Sequence, residues 1–468
     1  VTAHDFAALR AELDLPRAED GDAFPAAVAA EAARVAAAPP PASEDLTHLP
    51  FVTIDPPESL DLDQAVLVER AGDGFVVRYA IADLGSALPP GGAVDLEARR
   101  RGQTIYLPDG RVPLHPPVLS EGALSLLPEQ VRGAAVWTVE VGADGAIGAA
   151  SVRRARVRSV ARLDYARVQS DADAGTPHPS IEALGDLGRL RRRVRLAAGA
   201  IDLALPEQGV VPEGQDWALR IEPRTEADAW NAEVSLLTGM AAATMMLGAG
   251  VGLLRTLPAP DDHDLTIFAR TADRLGVARA EGATPGEVLA ALNPAAPVAM
   301  ALMTHATKLL RGAGYAAFDG SAPDEPTHAG VGGPYAHVTA PLRRLADRFG
   351  TEVCLAVSGG EPVPDWVRAA LPDVVEAMSA GGRRASTADR GAVDLVEVWT
   401  MQRRREETFA AVVVESDDDG ADVILTDPPI EARCTGSGLA DASIVEVRVA
   451  RIDVSERRVV YERAEASS

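Results

Sequence analysis

Lysine is almost missing. The single one is Lys308, and arginine supplies nearly all the positive charge. Alongside abundant alanine, this reads first as the codon bias of a GC-rich genome. Basic residues are also too few to balance the acidic ones, 45 against 69, for a formal net charge of −24. That excess excludes broad, non-specific binding of nucleic acid through an open basic face. Cysteine is as scarce. Cys354 and Cys434 cannot staple a chain of 468 residues, so both read as reduced thiols, with the cytoplasm as the expected location. No apolar run reaches the roughly 18 residues that a spanning helix needs, so no membrane contact is expected. The opening stretch "VTAHDFAALRAELDLP" lacks the charged-then-apolar order of a signal peptide.

The arginines that are present gather: "RRARVRSVAR" at 153–162, "RLRRRVR" at 189–195, "LRR" at 342–344 and "RRR" at 403–405. An acidic exterior with concentrated arginine sites suits a recessed anionic substrate better than an open DNA-binding face. Hydrophobic content of 47% supports sizeable cores, and the length supports more than one domain.

Residues 1–45 read as two helices, "HDFAALRAELDL" and the alanine-rich "AFPAAVAAEAARVAAA", closed by "PPPASED". The pair is helix-turn-helix-like, without a third helix or a basic recognition face. From residue 50 to about 160, β-type runs such as "FVTI", "AVLVER", "GFVVRYAIA", "TIYLP" and "AAVWTVEV" alternate with turn signals. From about 165 to 400 the pattern is mostly helical. Its clearest part, "DAWNAEVSLLTGMAAATMMLGAG", is apolar nearly all round and ends in glycine, as a buried helix does. After "MQRRREE", roughly five strands follow in sixty residues, the size of a small OB-type barrel. The fold class is therefore α+β: a helical segment at 1–45, a mixed sheet packed with helices at 46–400, and a C-terminal β-barrel at 401–468.

The stretch "TIDPPESLDLDQA" at 53–65 crowds Asp55, Glu58, Asp61 and Asp63 between two apolar runs. Carboxylates that close raise one another's pKa unless positive charge sits among them. The diproline ends the strand. Asp61 and Asp63 share a face where the chain is extended, and Asp55 can fold back to meet them. Oxygen ligands from one loop suit a hard cation, magnesium or manganese. A solvated turn whose aspartates cap backbone N–H groups fits the same residues. It is not an EF-hand loop, because the glycine and the distal glutamate are absent.

Together with "YAIADLGSALPPGGAVDLEARRRGQTIYLPDGRVPLHPPVLSEGALSLLPEQVR" at 79–132, the acidic stretch closely resembles the RNB catalytic domain of the ribonuclease II family of 3′-to-5′ exoribonucleases. "YAHVTAPLRRLADR" at 335–348 resembles that family's second signature block. The resemblance runs over roughly 50–400 in the family's order, and the terminal strands match the OB-fold RNA-binding domain that usually closes these chains. The usual N-terminal cold-shock barrels have no counterpart in the fewer than fifty residues before the first block.

The resemblance implies that Asp55, Asp61 and Asp63 are three of four active-site aspartates, with Asp63 the most critical. Gln64 stands in the fourth place, where its oxygen could ligate a metal or hold a metal-bound water but adds no charge. Arg343 falls on the catalytic arginine. Thr339 is placed to cap a helix with Pro341 in its first turn, so that helix end and guanidinium both face a phosphate. Arg344 would then point about 100° away. Taken alone, Arg343 could equally pair with Asp347 at i, i+4. Tyr106 falls on the aromatic that clamps a base near the 3′ end, and Tyr165 on a second tyrosine near the scissile nucleotide. Thr339 and Arg344 join them as RNA-contacting positions. Leu203 replaces the clamp's partner aromatic. Val234 and Ser235 occupy the place of tandem carboxylates, with Glu233 just before them. The implied activity is magnesium-dependent hydrolysis of single-stranded RNA to 5′-nucleoside monophosphates, by a monomer without an obligate protein partner. The departures at Gln64, Leu203 and Ser235 motivate an alternative: a catalytically weakened RNA-binding protein that keeps the fold.

Overall fold

The computed structural model describes residues 4–464 apart from 21–22, 42, 204–206, 223, 294–295 and 429. The alternating apolar runs form one six-stranded mixed sheet from Phe51–Ile54, Gln64–Ala71, Gly74–Ala82, Val131–Val141, Ile147–Leu163 and the short Glu44–Asp45. Gly72 and Asp73 join the second and third of these. Gly72 has φ +59°, the left-handed backbone that a two-residue hairpin demands. The 17-residue strand Ile147–Leu163 pairs antiparallel with Val131–Val141 along its first part and parallel with Phe51–Ile54 at its end. The sheet therefore curls back on itself. The ends of two parallel strands, Ile54 and Leu163, emerge side by side, and the Asp55 N–H donates to the Leu163 carbonyl at 3.1 Å.

One face of this sheet buries Val77, Trp137 and Val139 against Val234 and Leu237 of the long helix Glu226–Ala249. Each such side chain contributes about 1.5–3 kcal/mol by leaving water. The helix begins in a capping box between Thr225 and Asp228, and Gly250 ends it at φ +70°. By length and composition it could cross a bilayer, but half of its most apolar window is buried within the fold. It packs against the helices Leu184–Ala197 and Leu345–Gly359, as a core helix does.

Gly239 brings this helix against the second signature block. A Cβ there would stand 2.1 Å from the Tyr335 ring and 2.6 Å from the Ala336 carbonyl oxygen, while the Ala336 N–H donates to the Gly239 carbonyl at 3.1 Å. Gly239→Ala is expected to destabilise the protein by about 3 kcal/mol, read as a lower urea midpoint. An unchanged midpoint would mean that this contact is not tight.

The region after 165 is less uniformly helical than its sequence pattern. Glu207–Glu213 pairs with Asp216–Glu222, and Val251–Thr256 with Gly314–Asp319. The 39-residue helix Asp365–Arg403 then leads to the C-terminal strands, five of which close into a barrel as expected: Thr408–Asp417, Gly420–Leu425, Glu431–Thr435, Ile444–Asp453 and Arg458–Arg463. The N-terminal segment lies against that long helix through the stacked rings of His4 and Trp399, 4.6 Å apart, and through Phe6.

Most of the clustered arginines are engaged in this architecture. Arg153 pairs with Glu44, Arg154 with Asp83 and Glu352, Arg192 with Asp202, Arg403 with Asp216 and Arg404 with Glu407. The concentrated arginine sites expected from the sequence are therefore largely taken up by carboxylates of the fold, while Arg343 stands beside the acidic loop.

Candidate active site

The acidic loop leaves the strand Phe51–Ile54 and is held from three sides. The Ser125 hydroxyl accepts from the Leu62 N–H at 3.0 Å and donates to the Leu60 carbonyl at 2.7 Å. The Leu126 N–H donates to Leu62 and the Ala82 N–H to Asp63, both at 2.9 Å. Arg162 donates to the carbonyls of Pro56 and Pro57. The loop is thus a pinned element and not a freely solvated turn. Glu58 alone of its four acids is exposed.

Asp63 is buried. Its Oδ1 accepts from the Leu342 N–H at 2.7 Å, and its Oδ2 lies 3.5 Å from Nε of Arg343. Burial pushes its carboxyl up to about 8, against the pull of Arg343 and Leu342, with Asp61 and Asp347 adding repulsion. Burial also pushes Asp55 up to about 6. Asp61 adds to that shift, while Arg162 and Arg343 oppose it. One Asp55 oxygen is buried with no hydrogen-bond partner. Two desolvated carboxyls and a third beside them are costly to ionise together, and a divalent ion among them would offset that cost.

Among the described residues, no three His, Cys, Asp or Glu side chains stand close enough together to enclose a metal by themselves. Magnesium commonly takes one or two carboxylates and completes its shell with water and phosphate oxygens. The orphaned Asp55 oxygen and the Asp61 and Asp63 carboxyls fit that donor set.

The second block departs from its expected helix. The N–H groups of Arg343 and Arg344 both donate to the Ala340 carbonyl, which makes 340–344 a turn, and the helix begins only at Leu345. Thr339 therefore caps nothing, and the helix end does not add to Arg343. The cause is the neighbouring segment 102–104. Thr104 N–H donates to the Arg343 carbonyl at 2.9 Å, Leu345 N–H to Gly102 at 3.0 Å, and Gln103 bridges to Arg344. Asp347 instead accepts from the Ala340 N–H at 2.7 Å and pairs with Arg344 at 2.8 Å. Arg344, mostly buried, is committed inward. Arg343 is the residue left facing the acidic loop, with its side chain 44% exposed.

Tyr106 sits on the short strand Ile105–Leu107, half exposed, with its hydroxyl 3.5 Å from Asp61. Tyr165 opens the helix Tyr165–Asp173, which Asp164 caps, and its hydroxyl accepts from Asn231 at 3.3 Å. Tyr106 thus borders Asp61, and Tyr165 lies near enough to Asp55 for that carboxylate to help burial raise the pKa of its phenol. Leu203 packs with the helices around Phe268 and Leu302. Glu233 is buried in a bidentate pair with Arg195 at 2.5 Å and does not reach the aspartates. Ser235 hydrogen-bonds to Tyr79, which in turn meets Gln64. Ser125, Asn231 and Tyr79 escaped the sequence reading, because nothing local in the sequence marks a side chain whose partner is a distant carbonyl or hydroxyl; Arg162 was visible only as the end of an arginine cluster.

Residues 43–350 match the RNB domain, and residues 407–464 match the RNase II-type exonuclease C-terminal S1 domain. Ribonuclease R of Escherichia coli is 31% identical over 318 residues, 65% of this chain, and the chain spans only 39% of that relative. Ribonuclease R of Mycoplasma genitalium, solved with ribose-methylated single-stranded RNA, superposes with a TM-score of 0.78 at 20% identity, over 90% of this chain and 72% of the other. Yeast Ssd1, described as a pseudonuclease, superposes with a TM-score of 0.68 at 17% identity, over 88% of this chain and 54% of the other. At such identities the superpositions speak for the fold.

Proposed function

The chain belongs to the RNB-domain family, and from that premise we propose that it is a 3′-to-5′ exoribonuclease that removes 5′-nucleoside monophosphates from single-stranded RNA. The observation that carries this is Asp63: a buried carboxyl gripped by the N–H of Leu342 and the guanidinium of Arg343, with Asp55 and Asp61 crowding it.

Asp55, Asp61 and Asp63 would hold a magnesium ion, with manganese as a substitute, water and phosphate oxygens completing its shell. That ion, when bound, supplies Lewis-acid activation of water and balances charge on the leaving oxygen. Arg343 sets its guanidinium against the non-bridging oxygens of the terminal phosphodiester, where negative charge grows in the transition state. Tyr106 stacks on a terminal base, a contact that accepts any base because each has a flat face. Tyr165, oriented by Asn231, positions the last nucleotide. A preference for RNA over DNA would require contacts to the 2′-hydroxyl. The C-terminal barrel guides the strand inward. The buried, unpaired thiols of Cys354 and Cys434 suit a reducing cytoplasm. The protein acts as a monomer, with no obligate protein partner.

A second reading draws on the neutral residues Gln64 and Ser235 and on the likeness to a pseudonuclease: an RNA-binding protein with weakened turnover. A time course on single-stranded RNA separates the two. With magnesium, 3′-labelled RNA is expected to release labelled mononucleotide from the first time point, while 5′-labelled RNA shortens stepwise. Excess chelator is expected to stop both. Retarded but intact RNA in magnesium would contradict the exonuclease and support the binder.

A further inference from the structure

Gln64 follows Asp63 directly, and both ends of its side chain are engaged. Its Nε2 donates to the Thr339 carbonyl at 2.7 Å, and its Oε1 accepts from the Tyr79 hydroxyl. A backbone carbonyl can only accept, so the Thr339 carbonyl fixes which way the amide points: turned round, it would set one oxygen against another. The Tyr79 hydroxyl, having given its proton to Gln64, accepts from Ser235 at 2.9 Å. Tyr79 is 1% exposed in the sheet, and Ser235 stands on the long core helix, so the chain of hydrogen bonds is anchored at both ends in rigid elements.

Asp63 grips the same turn at a second point, through the Leu342 N–H. Residues 63 and 64 therefore hold the segment 339–342 at both of its ends, Thr339 and Leu342, immediately before Arg343. The bonds to 102–104 and to Asp347 hold this turn from its other side, and these two set its distance from the acidic loop. The flank made by Gln64, Tyr79 and Ser235 carries an amide, a phenol and an alcohol, and no charge. Two divalent ions about 4 Å apart need anionic oxygens on both flanks, and this one offers none.

We infer that Gln64 is a strut and not an ion ligand: oriented by Tyr79 and Ser235, it holds the turn bearing Arg343 against Asp63, and the acidic loop takes one divalent ion. The inference rests on the reading of the site as a metal-dependent nuclease, and names Gln64 and Tyr79 as positioning residues within it.

Gln64→Glu keeps the shape of the side chain and its bond from Tyr79. It turns a second acceptor toward the Thr339 carbonyl and adds the charge that an ion ligand would use. Mn2+ is titrated into the full chain bound to single-stranded RNA whose 3′-terminal linkage has a methylene in place of the bridging 3′ oxygen. Free Mn2+ is followed by electron paramagnetic resonance. One Mn2+ per chain is expected in the parent, and one, of similar affinity, in Gln64→Glu. On cleavable RNA, kcat should fall by on the order of tenfold in both Gln64→Glu and Tyr79→Phe, the loss of about one buried hydrogen bond. Because the strut acts through Arg343, Gln64→Glu should cost little more in an Arg343→Ala background.

Tyr79→Phe removes a hydroxyl and keeps the ring, so it serves if Gln64→Glu does not fold. A second, spin-coupled Mn2+ in the parent, a much tighter ion in Gln64→Glu, or fully multiplicative losses with Arg343→Ala would each overturn the strut while leaving the nuclease reading intact. No bound Mn2+ in any variant would overturn the nuclease reading itself.

Discussion

Asp63→Asn is expected to slow mononucleotide release by on the order of 10³-fold, about 4 kcal/mol of transition-state stabilisation, while RNA affinity is nearly unchanged. The substitution keeps the size of the side chain and leaves an oxygen for the Leu342 N–H, so the turn stays in place. It removes the charge that the ion needs. The same variant should also be more stable in the presence of chelator. Burial raises the Asp63 carboxyl from 3.8 to about 8. Between those values the native state keeps a proton that the unfolded chain has lost, so this group's contribution falls as pH rises through the window. Asn carries no such penalty. Without metal at pH 8.5, the Tm of Asp63→Asn should therefore exceed the parent's by about 2 °C, and the gain should fade toward pH 4. Ion binding must displace the same proton, so magnesium affinity of the parent should rise with pH up to about 8. Lost activity with a lower Tm at pH 8.5 would point to misfolding instead of a missing ligand.

Arg343→Ala is expected to lower kcat by about 10²-fold, on the scale of losing one preorganised donor to developing charge, with a much smaller change in KM. The guanidinium is half exposed, and its recorded ion pair is the 3.5 Å approach to Asp63, whereas Arg344 beside it is bound to Asp347. It is therefore free to meet a phosphate, and its loss leaves the turn's backbone bonds to Thr104 and Ala340 intact. Arg343→Lys should recover only part of the rate, because an ammonium is a point charge without the guanidinium's paired donors. If the loss fell on KM with kcat unchanged, Arg343 would serve binding and not the chemical step.

The strands around the acidic loop were legible because both faces of the sheet are buried, which leaves short apolar, β-branched runs bounded by turn residues. The long helix Glu226–Ala249 was legible because it is buried on nearly every side and ends in a glycine. The hairpin Glu207–Glu213 with Asp216–Glu222 was not: it is short, and Gly209 and Pro212 interrupt its first strand, so its alternation is faint. The start of the helix after Arg343 was misread for a different reason. Thr339 and Pro341 are good helix-start residues, but backbone bonds to 102–104, more than two hundred positions away, hold 340–344 in a turn and delay the helix to Leu345. Local preference lost to tertiary contact.

The same distinction separates the site residues. Asp55, Asp61 and Asp63 declare themselves by crowding. Ser125, Asn231 and Tyr79 contribute one or two hydrogen bonds each across the fold, and their spacing gives no hint of this. The arginine clusters misled for the opposite reason. Their density is visible, but the carboxylates that pair with most of them come from elsewhere in the chain, as Glu352 does for Arg154.

Diffraction from crystals grown with Mn2+ and single-stranded RNA, using the metal's anomalous signal, tests the central claim most directly. One peak is expected, bound by carboxylate oxygens of the acidic loop and by a non-bridging oxygen of the 3′-terminal phosphodiester, with the Arg343 guanidinium on that same phosphate. An RNA 3′ end lying elsewhere, or Asp55, Asp61 and Asp63 splayed into solvent with no peak between them, would contradict it.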